Sequence, residues 1–145
     1  MNVIVYSRGA IERVPPQEVP HVIISITSAP SDVARIPASP LTRAILRLSF
    51  ADADVAHDAA LVLFDRPRAR AVAAFVREHR EHVALVVVHC DAGLSRSPAV
   101  AAAITKWLGE DDSPWFARYR PNMLVYRTLL DALMSDPALE EEPLR

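Results

Sequence analysis

Four short apolar runs rich in Val and Ile stand along the chain at Val3 to Tyr6, His21 to Thr27, Ala44 to Phe50 and Val83 to His89. Their length and β-branched content predict strands. Apolar residues follow one another in them with little alternation, so each strand is expected to lie centrally, covered on both faces. The stretches Val14 to Pro20 and Ala29 to Pro40 are proline-rich and read as loops, with room for a helical turn. From Arg66 to His82 the period changes. Ala69, Val72, Ala73, Phe75 and Val76 follow helical spacing, Asp65 stands where a cap belongs, and Pro67 fits the first turn. Pro98 to Leu108 predicts a second helix, apolar on several faces and hence buried, ended by Gly109. A short helix starts at Asp112-Ser113-Pro114, and a last long one spans Met123 to Met134.

Strands alternating with helices predict a single layered α/β domain over residues 1–134. Its centre is expected to be a mostly parallel sheet of about four strands flanked by helices. Residues 135–145, with Glu140-Glu141-Glu142, read as an acidic C-terminal tail. A length of 145 residues suits one domain with a sizeable core, and a hydrophobic content of 51% argues against disorder. No run nears the roughly eighteen apolar residues of a membrane span. Met1 to Arg8 lacks the basic start and long apolar stretch of a secretory signal and reads as the first strand. One cysteine leaves no internal disulfide, which leads us to expect a cytoplasmic protein. The net charge of −2 gives no case for nucleic-acid binding. Lys106 is the lone lysine beside many arginines, and with the abundance of alanine this composition is expected of a GC-rich bacterial source.

The chemistry concentrates in Val86-Val87-Val88-His89-Cys90-Asp91-Ala92-Gly93-Leu94-Ser95-Arg96-Ser97-Pro98. The single cysteine directly follows an apolar strand, an arginine stands six residues later, and a helix opens there. A thiol is a nucleophile only as the thiolate, so its surroundings must favour negative charge. Backbone N–H groups of a loop running into a helix N-terminus do this, and the same donors hold a phosphate dianion. Five residues between Cys90 and Arg96 let the loop curl round one tetrahedral anion, with the planar Arg96 fork on two of its oxygens. Gly93 permits the turn. Ser97 is placed to bond the thiolate or to cap the helix, and Pro98 suits the first helical turn. An inert buried thiol beside a surface arginine explains neither the glycine nor the strand-to-helix placement. Open parallel sheets also bind ligands beyond the carboxyl ends of their strands, where Cys90 falls.

The wording His89-Cys90-x-x-Gly93-x-x-Arg96-Ser97 resembles the signature of the cysteine-dependent protein tyrosine phosphatases, particularly small bacterial members of the dual-specificity branch. The likeness spans roughly Ala44 to Met134. It implies a phosphotyrosine protein phosphatase-like fold and hydrolysis of phosphate monoesters through a phosphocysteine. Phosphorylated proteins or small molecules would be the partners, with no cofactor, metal, nucleic acid or membrane. On this resemblance Cys90 is the nucleophile, and Asp91, Ala92, Gly93, Leu94, Ser95 and Arg96 form the phosphate-binding loop. Ser97 steadies the departing thiolate, and His89 holds the loop without acting as the base. The family's general acid is an aspartate just after the strand upstream of the crossover helix. Asp52 matches that pattern best, Asp54 stands close enough to exchange roles with it, and Asp58 lies at a more typical separation from the cysteine. Arg120-Pro121-Asn122 resembles the Pro-Asn segment that opens the family's last helix. Asn122 would therefore buttress the loop, and as an asparagine it also suits an N-cap. Arg127-Thr128-Leu129 departs from the family's Gln-Leu in that helix.

Other polar and aromatic residues read more plainly. His21, His57, His79 and His82 fall at no spacing suited to a metal. Trp107, Trp115 and Tyr126 occupy helical positions and read as core. Arg118 and Arg120 either add positive potential beside the site or are simply solvated. Two other functions fit the same loop: a module that binds phosphorylated partners without turnover, and a rhodanese-like or arsenate-reductase-like enzyme. The phospho-substrate stays open, because selectivity lies in pocket depth and surrounding loops.

Overall fold

A computed structural model describes residues 1–135, so the acidic run at Glu140 to Glu142 lies outside the described residues. The elements are β1 (Asn2–Ser7), α1 (Arg8–Ile11), β2 (His21–Thr27), β3 (Thr42–Ser49), α2 (Arg66–His79), β4 (Leu85–Cys90), α3 (Arg96–Trp107), α4 (Ser113–Arg118) and α5 (Met123–Met134). The strands form one sheet in the order β1-β4-β2-β3, every pairing parallel. Every strand therefore ends at the same edge, where Ser7 pairs with Cys90, Ser25 with His89, and Thr27 with Ser49.

The expectation of four central strands holds for two. β2 and β4 are buried along their whole length. β1 and β3 are the edges, and the alternating exposure of β3, with Ile45 39% exposed, shows that its apolar run covers only one face of the sheet fully. The helices are distributed unevenly as well. Val22, Ile24 and Ile26 of β2 and Val86, Val88 and Cys90 of β4 share a main core with α2, α3 and α5. Ile23, Leu85 and Val87 on the opposite face form a smaller core with Ile11 of α1 and partly buried Ile4, Tyr6 and Ile36. The proline-rich stretches thus serve as the cover where a full helical layer is missing.

Local signals set the helix ends. Asp65 caps α2 by accepting from the Arg68 N–H at 3.1 Å, with Pro67 in the first turn as expected. That helix stops at His79, three residues before the expected His82, because the N–H groups of His82 and Val83 both turn back to the His79 carbonyl. α3 ends in a Schellman motif: Gly109 has φ +82°, its N–H donates to Lys106 and that of Glu110 to Thr105. The four-residue α1 was not expected; Arg8 begins it rather than ending β1, and Ser7 caps it by accepting from the Ala10 N–H. α3 begins at Arg96, two residues earlier than expected, which puts Arg96 and Ser97 on its first turn.

Besides packing together in the main core, α2 and the end of α5 are tied by Arg77. Arg77 Nη2 donates to the carbonyls of Ala132 and Leu133, each at 2.9 Å, and of Ser135 at 3.1 Å. These are carbonyls that a helix end leaves unpaired, and the cation also meets the negative end of the α5 dipole. Arg77→Met keeps the aliphatic stem and removes the donors. It should lower stability by about 1.5–3 kcal/mol in urea unfolding; a change within a few tenths would contradict this role.

Candidate active site

Cys90 closes β4, and the chain turns through Asp91 to Ser95 into α3. Three backbone amides from elsewhere grip the outside of this loop. The Arg8 N–H donates to the Asp91 carbonyl at 3.0 Å, Arg120 N–H to Leu94 at 3.1 Å, and Asn122 N–H to Ser95 at 3.1 Å. Those carbonyls are turned outward, and the Gly93 N–H donates to Cys90 Sγ at 3.3 Å. Ser97 Oγ lies 3.0 Å from the same sulfur. Gly93 is required twice over: its φ is +72°, and a Cβ there would stand 2.9 Å from the Ser7 backbone nitrogen. The sulfur is recessed, with Cys90 2% exposed. The Gly93 N–H and the Ser97 hydroxyl stand within bonding distance of it, and α3 begins beside it.

Arg96 leaves the first turn of α3 and is itself 4% exposed. Its Nη1 donates to the Phe50 carbonyl at 2.8 Å and to Ser28 Oγ at 3.0 Å. Nη2 donates to Asp91 Oδ2 at 3.0 Å. Nε is buried and has no hydrogen-bond partner.

Of the three candidate acids, Asp52 is the one brought to the loop. Its Oδ1 accepts from Ser95 Oγ at 2.8 Å and from Asn122 Nδ2 at 3.0 Å. Asp54 is exposed on the same segment. Asp58 accepts from the Ala60 N–H at 2.9 Å, a contact that shapes its own turn. Asn122 was expected to buttress the loop. It does so through its backbone N–H, while its side chain goes elsewhere: Oδ1 caps α5 by accepting from Val125 N–H, and Nδ2 holds Asp52 and the Ala53 carbonyl.

His89 is fully buried behind the cysteine. Its Nδ1 lies 3.3 Å from the Cys90 carbonyl and its Nε2 2.6 Å from Ser25 Oγ. A carbonyl only accepts, so Nδ1 carries the hydrogen; in the neutral ring Nε2 then accepts from the serine. Burial is the main force holding its pKa below the ordinary value; the hydrogen bond to the Cys90 carbonyl and the charge of Asp91 oppose it, and Arg8 and Arg47 add to it. Both ring nitrogens are thus committed to holding the strand end.

Sequence reasoning missed Ser28, Phe50 and Ser25, and it assigned Asp91 only a loop amide. The available signal was positional. Ser28 and Phe50 each follow a strand, at the edge where every strand ends. Among the other residues, His21 is buried and satisfied by the Val19 carbonyl and Thr42 Oγ1. Trp107 and Tyr126 are partly buried against the main core, whereas Trp115 stacks on Tyr119 and lines a surface groove with Val3, Val5 and Arg118. Arg118 and Arg120 are exposed and line a cleft that reaches Leu94 and Ser95 of the loop. Among the described residues no cluster of His, Cys, Asp and Glu could hold a metal ion, and no helix is long and apolar enough to cross a membrane.

No protein-family model and no curated protein matches the chain. Solved structures do. A variant of human DUSP28 aligns with a TM-score of 0.59 at 20% identity, covering 95% of this chain and 91% of that one. A mouse putative dual specificity phosphatase complexed with zinc tungstate aligns at 0.58 and 18% identity, covering 95% and 86%. A human tyrosine phosphatase-like serine/threonine/tyrosine-interacting protein aligns at 0.53 and 23% identity, covering 76% and 74%. The chain has the fold of the cysteine-dependent tyrosine phosphatases, as its loop motif led us to expect.

The depressed pKa of His89 has a definite sign. Below its ordinary value of 6.5 the unfolded chain takes up a proton that the buried ring refuses, so stability falls as pH drops from 6.5 toward 5. His89→Gln should flatten that part of the profile in urea titrations run at successive pH values; an unchanged slope would assign the proton uptake to another group. Gly93→Ala should cost more than about 2 kcal/mol in the same assay, from the left-handed backbone and the contact with Ser7.

Proposed function

We propose that the chain is a cysteine-dependent phosphatase hydrolysing phosphate monoesters, of phosphotyrosine, phosphoserine or phosphothreonine in proteins, through a phosphocysteine. The observation that carries this reading is the buried Arg96 Nε–H without an acceptor. It belongs to the same loop as a sulfur bonded to Gly93 and Ser97. A buried donor left unmet costs about 1–3 kcal/mol, and a bound oxyanion supplies the missing acceptor. The mouse structure of this fold was obtained with zinc tungstate, and tungstate is a tetrahedral oxyanion like phosphate.

In the first step the Cys90 thiolate attacks phosphorus. An S–P bond forms, the ester P–O bond breaks, and Asp52 gives its proton to the leaving oxygen. The negative charge spread over the equatorial oxygens is met by the loop amides and by Arg96. In the second step water attacks phosphorus while the Asp52 carboxylate takes its proton. The S–P bond then breaks, Ser97 Oγ donates a hydrogen bond to the departing thiolate, and inorganic phosphate leaves. Both hydrogen bonds to Asp52 fall on Oδ1, which leaves Oδ2 to carry the proton.

The likeness to a human interacting protein favours one second reading, a module that grips phosphorylated partners without turnover. Phosphate release separates the two. Wild-type protein should release phosphate from phosphopeptides, and Cys90→Ser should release none while still binding tungstate. Asp52→Asn should lower kcat by about 100- to 1,000-fold on phosphotyrosine and far less on p-nitrophenyl phosphate, whose leaving group needs little protonation. Asp54→Asn and Asp58→Asn should stay near wild type. Absence of phosphate release from the wild type would favour the binding module; equal losses for Asp52→Asn on both substrates would remove Asp52 as the acid.

A further inference from the structure

Resting on the reading of this loop as a phosphate site, we infer that Asp91 is a positioning residue. Its carboxylate, with Ser28 and the Phe50 carbonyl, holds the Arg96 guanidinium by one end and leaves the other edge free for the substrate. A guanidinium has five N–H bonds in a fixed plane. Both hydrogens of Nη1 are used, on Phe50 O and Ser28 Oγ, and one of Nη2 is used on Asp91 Oδ2. Ser28 Oγ and Asp91 Oδ2 are themselves 3.4 Å apart, the hydroxyl donating to the carboxylate. Two acceptors that close, one on each terminal nitrogen, sit together at the end of the guanidinium between Nη1 and Nη2. The pair of N–H bonds left over is Nε–H and the second hydrogen of Nη2. Those two point the same way, the arrangement that grips two oxygens of one oxyanion. The unpartnered, buried Nε is the independent sign that this edge is the one kept open.

The carboxylate acts at close range. Arg96 is almost wholly buried, and a long side chain entering the bowl from a helix would sample several rotamers without a tether. Asp91 is anchored in turn, because its own carbonyl accepts from the Arg8 N–H and its side chain is bonded by Ser28. An opposite arrangement, in which Asp91 occupies the substrate's place on Arg96, would put the carboxylate on the Nε edge. The bond to Nη2, the contact with Ser28 and the free Nε place it on the other edge.

The test compares Asp91→Asn with Asp91→Ala. Both remove the charge, so the difference between them reports the side-chain acceptor alone. Tungstate binding is measured by calorimetry, thermal unfolding is run as a control on folding, and kcat and KM are determined on a phosphotyrosine peptide. Asp91→Ala should bind tungstate at least about 10-fold more weakly than Asp91→Asn, with a matching fall in kcat/KM and with unfolding midpoints alike. Ser28→Ala, which loses the hydroxyl but no charge, should weaken binding in the same direction by a smaller factor. Equal tungstate affinity in the Asn and Ala variants would overturn the inference and leave the proposed function standing. A wild-type protein that binds no tungstate would overturn both. Wild type that binds tungstate yet releases no phosphate, with Ala still weaker than Asn, would remove the phosphatase reading and support the role given to Asp91.

Discussion

Three hydrogen bonds pull the carbonyls of the Cys90 loop outward, and everything the site can do depends on them. The donors are backbone amides from two parts of the chain: Arg8 at the start of α1, and Arg120 and Asn122 in the short segment between α4 and α5. A peptide plane has its carbonyl and N–H on opposite edges, so fixing one edge aims the other. The loop therefore needs no inward-facing side chain to make its cradle, apart from Arg96. It also follows that the cradle is a property of the whole domain, because it is assembled only when β1, β4 and the last two helices are in register. The glycine at position 93 lets the loop press against the end of β1 closely enough for this to happen.

A single carboxylate oxygen ties the remaining parts together. Asp52 Oδ1 receives Ser95 from the loop and Asn122 from the head of α5. The segment after β3, the loop after β4 and the last helix thus meet at one atom. Asn122 is the hinge of this arrangement: its oxygen caps α5, its amide nitrogen holds Asp52, and its backbone N–H holds the loop. Any movement of the Asp52 segment would be felt at Ser95, one residue from Arg96.

Much of this was legible in the chain because the signals are local. A Val-rich run before a cysteine marks a strand end. Asp65 with Pro67, and Asn122 after a proline, mark helix starts, and Gly109 marks a helix end through the left-handed backbone it alone adopts cheaply. What stayed hidden is non-local. Whether an apolar run sits in the middle or at the edge of a sheet is decided by strand order, which no run encodes, so the runs of β1 and β3 look central in the sequence and lie at the edges. The four-residue α1 carries too little periodicity to register. That Asp52, and neither Asp54 nor Asp58, reaches Ser95 rests on a contact between residues far apart in the chain. Ser28, Ser25 and Phe50 lie about 40 or more residues from the loop they serve, and only the parallel sheet, ending all its strands at one edge, brings them there.

The burial of Arg96 explains why so many groups converge on it. A guanidinium withdrawn from water needs acceptors for its N–H bonds and a counter-charge, and a protein built only for stability would supply all of them. Here the supply stops two short. Phe50, Ser28 and Asp91 meet three of the five N–H bonds, and Nε is left buried and unmet. A further acceptor there would add to stability, and on the proposed reading it would occupy the edge that faces the oxyanion. The free donor is thus a local loss of stability held in place by the surrounding network, the kind of departure from full satisfaction that functional sites keep. The same reasoning fixes where the counter-charge can stand. A carboxylate on the Nε edge would neutralise the arginine and cover its Nε–H at once, whereas one at the Nη1–Nη2 end balances the charge and leaves the Nε–H uncovered.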